Sequence, residues 1–156
     1  MLTMQEAASE FLAYKRIAVT GVSRKAKDHG ANTVFKRLRD RGYEVFAVNP
    51  NADEVEGARS YHDLKSIPGG VDAVVIATAP HRAEGTMREC AELGIKHVWM
   101  HRSYGAGSVS GTATAYGRDH GITVIDGGCP LMFEPTADLG HKVMRVIYRS
   151  HVPKTV

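Results

Sequence analysis

The chain has 156 residues, 43% hydrophobic and 24% charged. This composition fits one soluble globular domain over residues 1–156 and excludes disorder, collagen and coiled coil. The net charge of +3 is uneven: residues 21–42 hold seven Lys/Arg against two acids, a local excess that suggests an anionic partner.

In chain order, Met4, Ala7, Ala8, Phe11 and Leu12 recur at helical spacing. Glu6 and Glu10 interrupt the start, which does not read as a signal peptide. A β-branched run, Ile17-Ala18-Val19, predicts a buried strand and ends in the loop Thr20-Gly21-Val22-Ser23-Arg24. Ala31, Val34, Phe35 and Leu38 predict a helix, with Gly42 as its C-terminal cap. Val45 to Val48 is a second strand, followed by Asn49-Pro50-Asn51. Residues 51–70 read weakly, as a short strand or turn near Ser60-Tyr61 and a short helix near Leu64. Val74 to Ala77 leads into Thr78-Ala79-Pro80 and a helix on Ala83, Met87, Cys90 and Ala91, capped by Gly94. Val98-Trp99-Met100 leads into His101-Arg102-Ser103 and a stripe of Val109, Ala113 and Tyr116, closed by Gly121. Ile122 to Ile125 ends in Asp126-Gly127-Gly128-Cys129-Pro130. Leu139, Val143, Val146 and Ile147 predict a last amphipathic helix, with Pro153 beyond it. No run approaches the ~18 apolar residues of a membrane span.

Strands alternating with helices predict an α/β protein: a doubly wound, mostly parallel five-stranded sheet with helices on both faces. The expected strand order is 3-2-1-4-5, with ligands beyond the carboxyl ends of the strands. The five polar loops named above would then share one edge.

The first loop lacks the dinucleotide pattern G-x-G-x-x-G, having Ser23 and Ala26 where the second and third glycines belong. Gly21 still permits a tight turn, Ser23 offers a hydroxyl to a phosphate, and Arg24, Lys25 and Lys27 supply charge. The second strand ends in Asn49-Pro50-Asn51 rather than the acidic residue that accepts from an NAD ribose. Each loop also reads as a plain turn.

The pairing of Gly21-Val22-Ser23 with Asn49-Pro50-Asn51, followed by residues 71–80, by residues 94–101 and by Ile122 to Pro130, resembles the small single-domain CoA-binding proteins. These are similar to the N-terminal domain of the succinyl-CoA synthetase α subunit, and the resemblance covers about residues 12–135. It implies a Rossmann-like fold that binds coenzyme A or an acyl-CoA. Gly21, Val22 and Ser23 would hold the pyrophosphate, Asn49 and Pro50 would border the adenosine, and Thr78, Ala79 and Pro80 would line the neighbouring wall. Lys25 would add charge for a phosphate. The resemblance carries no ligase or phosphoryl-transfer activity, so a non-catalytic or regulatory binding module in the cytoplasm is expected. The alternative is an NADP-using oxidoreductase of the same fold.

No catalytic residue and no metal site is expected. His97 and His101 are four apart but bracket a strand, without helical chelate geometry. Two cysteines make no disulfide framework. Cys129 reads either as a reactive thiol within reach of a bound CoA arm, as does Arg102 as a contact, or as a buried inert one. No nucleic-acid motif or membrane element appears, and the sequence names no protein partner.

Overall fold

The computed structural model describes residues 1–25, 30–103 and 105–156. Helix α1 (Met4–Ala13) opens with a reciprocal capping box. Glu6 N donates to the Thr3 hydroxyl at 3.2 Å, and Thr3 N donates to the Glu6 carboxylate at 2.8 Å. It buries Met4, Ala7, Ala8, Phe11 and Leu12, the residues of the predicted stripe.

The remaining elements are β1 (Arg16–Thr20), α2 (Gly30–Asp40), β2 (Glu44–Val48), β3 (Glu54–Val55), β4 (Ala58–Tyr61), β5 (Ala73–Ile76), α3 (Pro80–Glu92), β6 (His97–Met100), α4 (Gly111–Asp119), β7 (Thr123–Asp126) and α5 (Leu139–Ile147). The strands form one sheet in the order β3-β4-β2-β1-β5-β6-β7. Every pairing is parallel except the β3–β4 hairpin.

The expected doubly wound α/β architecture is present, but the sheet has seven strands rather than five. The order is also corrected. The Val74 strand, β5, lies beside β1, and the strand beyond β2 is the short β4. β4 meets β2 at only two positions, Ala47↔Ser60 and Val48↔Tyr61. So short a pairing leaves no apolar run to read. With β4 counted as third, the parallel strands follow 3-2-1-4-5-6 and reverse direction of winding between β1 and β5.

Alternation along the strands sends side chains to two cores. Ile17, Val19, Ala73, Val75, Trp99 and Ile125 pack with α1, α2 and residues 129–133. Ala18, Val74, Ile76, Val98, Met100 and Val124 pack with α3 and α4. Gly42, Gly94 and Gly121 have φ of 85°, 73° and 73°. The residue after each donates back into the helix, Tyr43 to Leu38 O, Ile95 to Cys90 O and Ile122 to Gly117 O. The same left-handed cap therefore turns all three helices back toward the sheet.

α5 departs from expectation. It forms where predicted, with the Asp138 carboxylate accepting from His141 N at 2.8 Å as its N-cap. Its apolar stripe faces outward: Leu139, Val143, Val146 and Ile147 are 80%, 49%, 72% and 66% exposed. Met144, from the other side of the helix, packs on the core. No helix among the described residues is long and apolar enough to cross a membrane.

Trp99 anchors the first core. It is fully buried, donates Nε1–H to Gly127 O at 2.9 Å and meets the Phe11 ring edge-on with centroids 5.3 Å apart. Trp99→Ala is expected to lower unfolding free energy by about 3–5 kcal/mol. Urea denaturation followed by far-UV circular dichroism checks this, and a loss below about 1 kcal/mol would show that this core is not limiting.

Candidate functional site

The loop after β1 is built against its neighbours. Gly21 has φ of 80°, and a Cβ there would stand 2.6 Å from Ala77 O. The backbone after β1 thus lies directly on the backbone after β5, and only glycine fits. Gly21 N–H donates to Val48 O at 3.2 Å, which continues the sheet ladder. Val22 is fully buried, and its carbonyl accepts from Asn49 Nδ2 at 3.0 Å. Asn49 Oδ1 in turn accepts from Asn51 N at 2.8 Å. The Asn49 amide is therefore a brace between two loops, and the co-occurrence of the two motifs has a direct physical cause. Pro50 is exposed at the rim.

Ser23 is held by a residue that sequence reasoning missed. Asn32, fully buried in α2, accepts from Ser23 N–H at 2.8 Å. Its Nδ2 donates to Ser23 O at 2.7 Å and to Glu56 Oε1 at 2.9 Å. The signal was present: Asn32 lies three residues before Phe35 on the apolar side of the helix, and a buried polar group needs a partner. Glu56, with φ of 51°, is the one non-glycine residue at positive φ among those described. Its carboxylate also faces Lys36 at 3.8 Å. The Ser23 hydroxyl accepts from Lys25 N at 3.0 Å, which leaves its own proton free to donate outward.

The basic cluster divides. Arg24 and Lys25 are exposed beside the loop. Cations of α2 and of the residue after it are engaged elsewhere: Lys36 faces Glu56, Arg39 donates to Glu56 O at 3.0 Å, and Arg41 donates to Arg37 O at 3.3 Å. Lys27 lies outside the described residues.

Beyond β5, Ala77, Thr78 and Ala79 line a cleft of about 240 Å³ together with Gly30, Ala31, His101, Ser103, Gly107 and Ser108. Pro80 occupies the first turn of α3, where a missing N–H costs nothing. Thr78 Oγ1 is buried with no hydrogen-bond partner among the described residues. His101, expected at the ligand edge as part of the His101-Arg102-Ser103 loop and given no binding role of its own, forms one wall of this cleft. Its backbone is fixed from both sides: His101 N donates to Ile76 O at 2.9 Å, and His101 O accepts from Ser108 N at 2.8 Å. Burial and the neighbouring His141 push its imidazole down to about 4, so it stands neutral at physiological pH. His141 is itself held by Asp138, Nδ1 to Oδ2 at 2.8 Å. His97, at the far end of β6, contacts the Tyr14 hydroxyl at 3.1 Å instead.

The reactive reading of Cys129 is corrected. The residue is fully buried among residues of the first core, and burial pushes its thiol up to about 12. Such a thiol is neither reachable nor ionised. Arg102 donates Nε–H to Gly105 O at 3.1 Å and pairs with Gly128 through the backbone.

Comparison with known proteins places the chain in a family. The pattern of the CoA binding domain family matches residues 15–135. The α subunit of an ADP-forming acetate–CoA ligase II from Pyrococcus furiosus is 38% identical over 89 residues, which are 56% of this chain and 19% of that protein. The chain thus spans about a fifth of that relative's length. An uncharacterized protein of Bacillus subtilis, YneT, is 33% identical over 111 residues, 71% of this chain and 78% of that one. Among solved structures, a hypothetical protein from Pyrococcus horikoshii superposes with a TM-score of 0.70 at 28% identity, covering 79% of this chain and 83% of its own. By sequence pattern and by fold, the chain belongs to the CoA binding domain family.

Proposed function

We propose that the chain binds coenzyme A or an acyl-CoA at the carboxyl edge of its sheet and acts there as a binding module without chemistry of its own. The observation that carries this reading is the locked pair of loops. Asn49 holds the Val22 carbonyl, and Gly21 lies flat on the backbone at Ala77. The family match adds the class of ligand.

In this pose the pyrophosphate lies at Gly21 to Ser23, where the free proton of the Ser23 hydroxyl and the exposed Lys25 and Arg24 meet it. The adenosine lies toward Asn49 and Pro50. The remainder of the ligand lies along Thr78, Ala79 and Pro80. The oxidoreductase alternative has less support, because the first loop has Ser23 and Ala26 where the dinucleotide pattern needs its second and third glycines.

Calorimetry at matched ionic strength tests the ligand class. CoA is expected to bind tighter than NAD or NADP, and tighter binding of either dinucleotide would overturn the reading. Two variants test the loop. Ser23→Ala is expected to cost on the order of 1.5–3 kcal/mol of CoA binding, the value of one hydrogen bond to a charged group. Gly21→Val is expected to abolish binding, because a branched Cβ at φ of 80° would drive into Ala77 O. If Gly21→Val folds and binds as the parent does, the pyrophosphate lies elsewhere.

A further inference from the structure

We propose that His101 holds the uncharged pantetheine arm of the bound ligand, and that its cleft admits a free thiol or a small uncharged acyl group in preference to a carboxyl-ended one. This rests on the CoA reading above and adds to it the acyl class and a contact residue.

The strand order sets the path. Adjacent strands lie roughly 4.8 Å apart. Along the carboxyl edge the loops therefore come in the sequence Asn49, Gly21, Thr78, His101, following β2, β1, β5 and β6. A ligand with its adenosine toward Asn49 and its pyrophosphate at Gly21 carries its arm over Thr78 to His101. The cleft of about 240 Å³ is smaller than a complete small-molecule site, roughly 300–1,000 Å³, and so takes one part of the ligand.

Its lining shows which part. Three hydroxyl residues, Thr78, Ser103 and Ser108, and one imidazole line it, and no Lys, Arg, Asp or Glu is among the described lining residues. The exposed cations, Arg24 and Lys25, lie on the Gly21 loop instead. A phosphate therefore has its counter-charge at the loop, while the cleft suits amides and a thiol or thioester, which exchange neutral hydrogen bonds. Thr78 Oγ1 is a buried polar atom without a partner, and such an atom is costly unless something completes it. Neither ring nitrogen of His101 has a hydrogen-bond partner among the described residues, and the ring faces Gly30, where a Cβ would stand 3.1 Å from its Cε1. The neutral state of the ring gives it one donor and one acceptor. A carboxyl-ended acyl chain would bring a charge into this cleft with no cation among its described lining residues to meet it, and a carboxylate that gives up water without a counter-charge is disfavoured.

The test compares ligands that share the adenosine end and differ in the arm. Wild type, His101→Ala and His101→Gln are titrated by calorimetry with CoA, acetyl-CoA, succinyl-CoA and 3′-phospho-ADP, the portion of CoA without an arm. His101→Ala is expected to weaken CoA and acetyl-CoA about tenfold, the order of one lost buried hydrogen bond, and to leave 3′-phospho-ADP within about twofold. His101→Gln, which keeps a donor and an acceptor, recovers most of the loss. Wild type is expected to prefer acetyl-CoA over succinyl-CoA by about tenfold or more. An equal loss for 3′-phospho-ADP would make His101 a structural residue. No loss for CoA, or equal binding of the two acyl-CoAs, would overturn the arm assignment while the CoA reading stands. If wild type binds neither CoA nor 3′-phospho-ADP, the CoA reading itself fails and the arm assignment falls with it.

Discussion

The site depends on one buried amide. Asn32 makes three hydrogen bonds of 2.7–2.9 Å, two to the backbone of Ser23 and one to Glu56. The loop after a Rossmann-type first strand has to leave the sheet and turn tightly where a ligand would approach. Here the N–H of Gly21 is engaged by Val48 and that of Ser23 by Asn32. The loop is thereby fixed before any ligand arrives, and binding need not pay for ordering residues 21–23. An apolar residue at position 32 would leave the Ser23 N–H and carbonyl without these partners, and it would also take from the Glu56 carboxylate its amide donor.

That bracing explains why two distant motifs occur together. Asn32 ties α2 to the first loop and to the β3–β4 hairpin, while Asn49 ties the end of β2 to the same loop through Val22. Gly21 adds the third contact, to β5. Three crossovers meet at the point where the sheet reverses its winding. The site is therefore a property of strand order, since β1 must lie between β2 and β5 for these contacts to form.

Much of this was legible in the sequence, for identifiable reasons. β-branched runs ending in Gly, Asn or Thr-Ala-Pro marked the edge loops, and left-handed glycines marked the helix ends. The stripe of α1 named its buried residues correctly. The failures have physical causes too. β4 pairs with β2 at two positions, so the strand order could not be read from hydrophobic runs. The periodicity of α5 predicts amphipathicity but not direction, and the helix turns Leu139 and Val146 outward while Met144 faces the core. His101 looked like any histidine at a strand end. Its place in the cleft goes with Ser108 N meeting its carbonyl, a contact that local sequence does not encode.

Among the described residues, exposed cations sit on the Gly21 loop and neutral polar groups line the adjoining cleft, and this separation matters for what a CoA-type ligand would experience. CoA is itself divided: its nucleotide half carries all the charge, and its arm carries amides and a thiol. The Gly21 loop has exposed Arg24 and Lys25, and the adjoining cleft has hydroxyls and a neutral ring. Long-range attraction to the cations steers an anion to the loop and weakens with salt. Hydrogen bonds in the cleft act only at contact and are far less sensitive to ionic strength. Raising salt should then weaken the nucleotide half selectively, whereas discrimination among acyl groups persists. On the proposed pose, affinity and selectivity on this edge would be set by different residues, the first by the loop that Asn32 braces and the second by the wall that His101 forms.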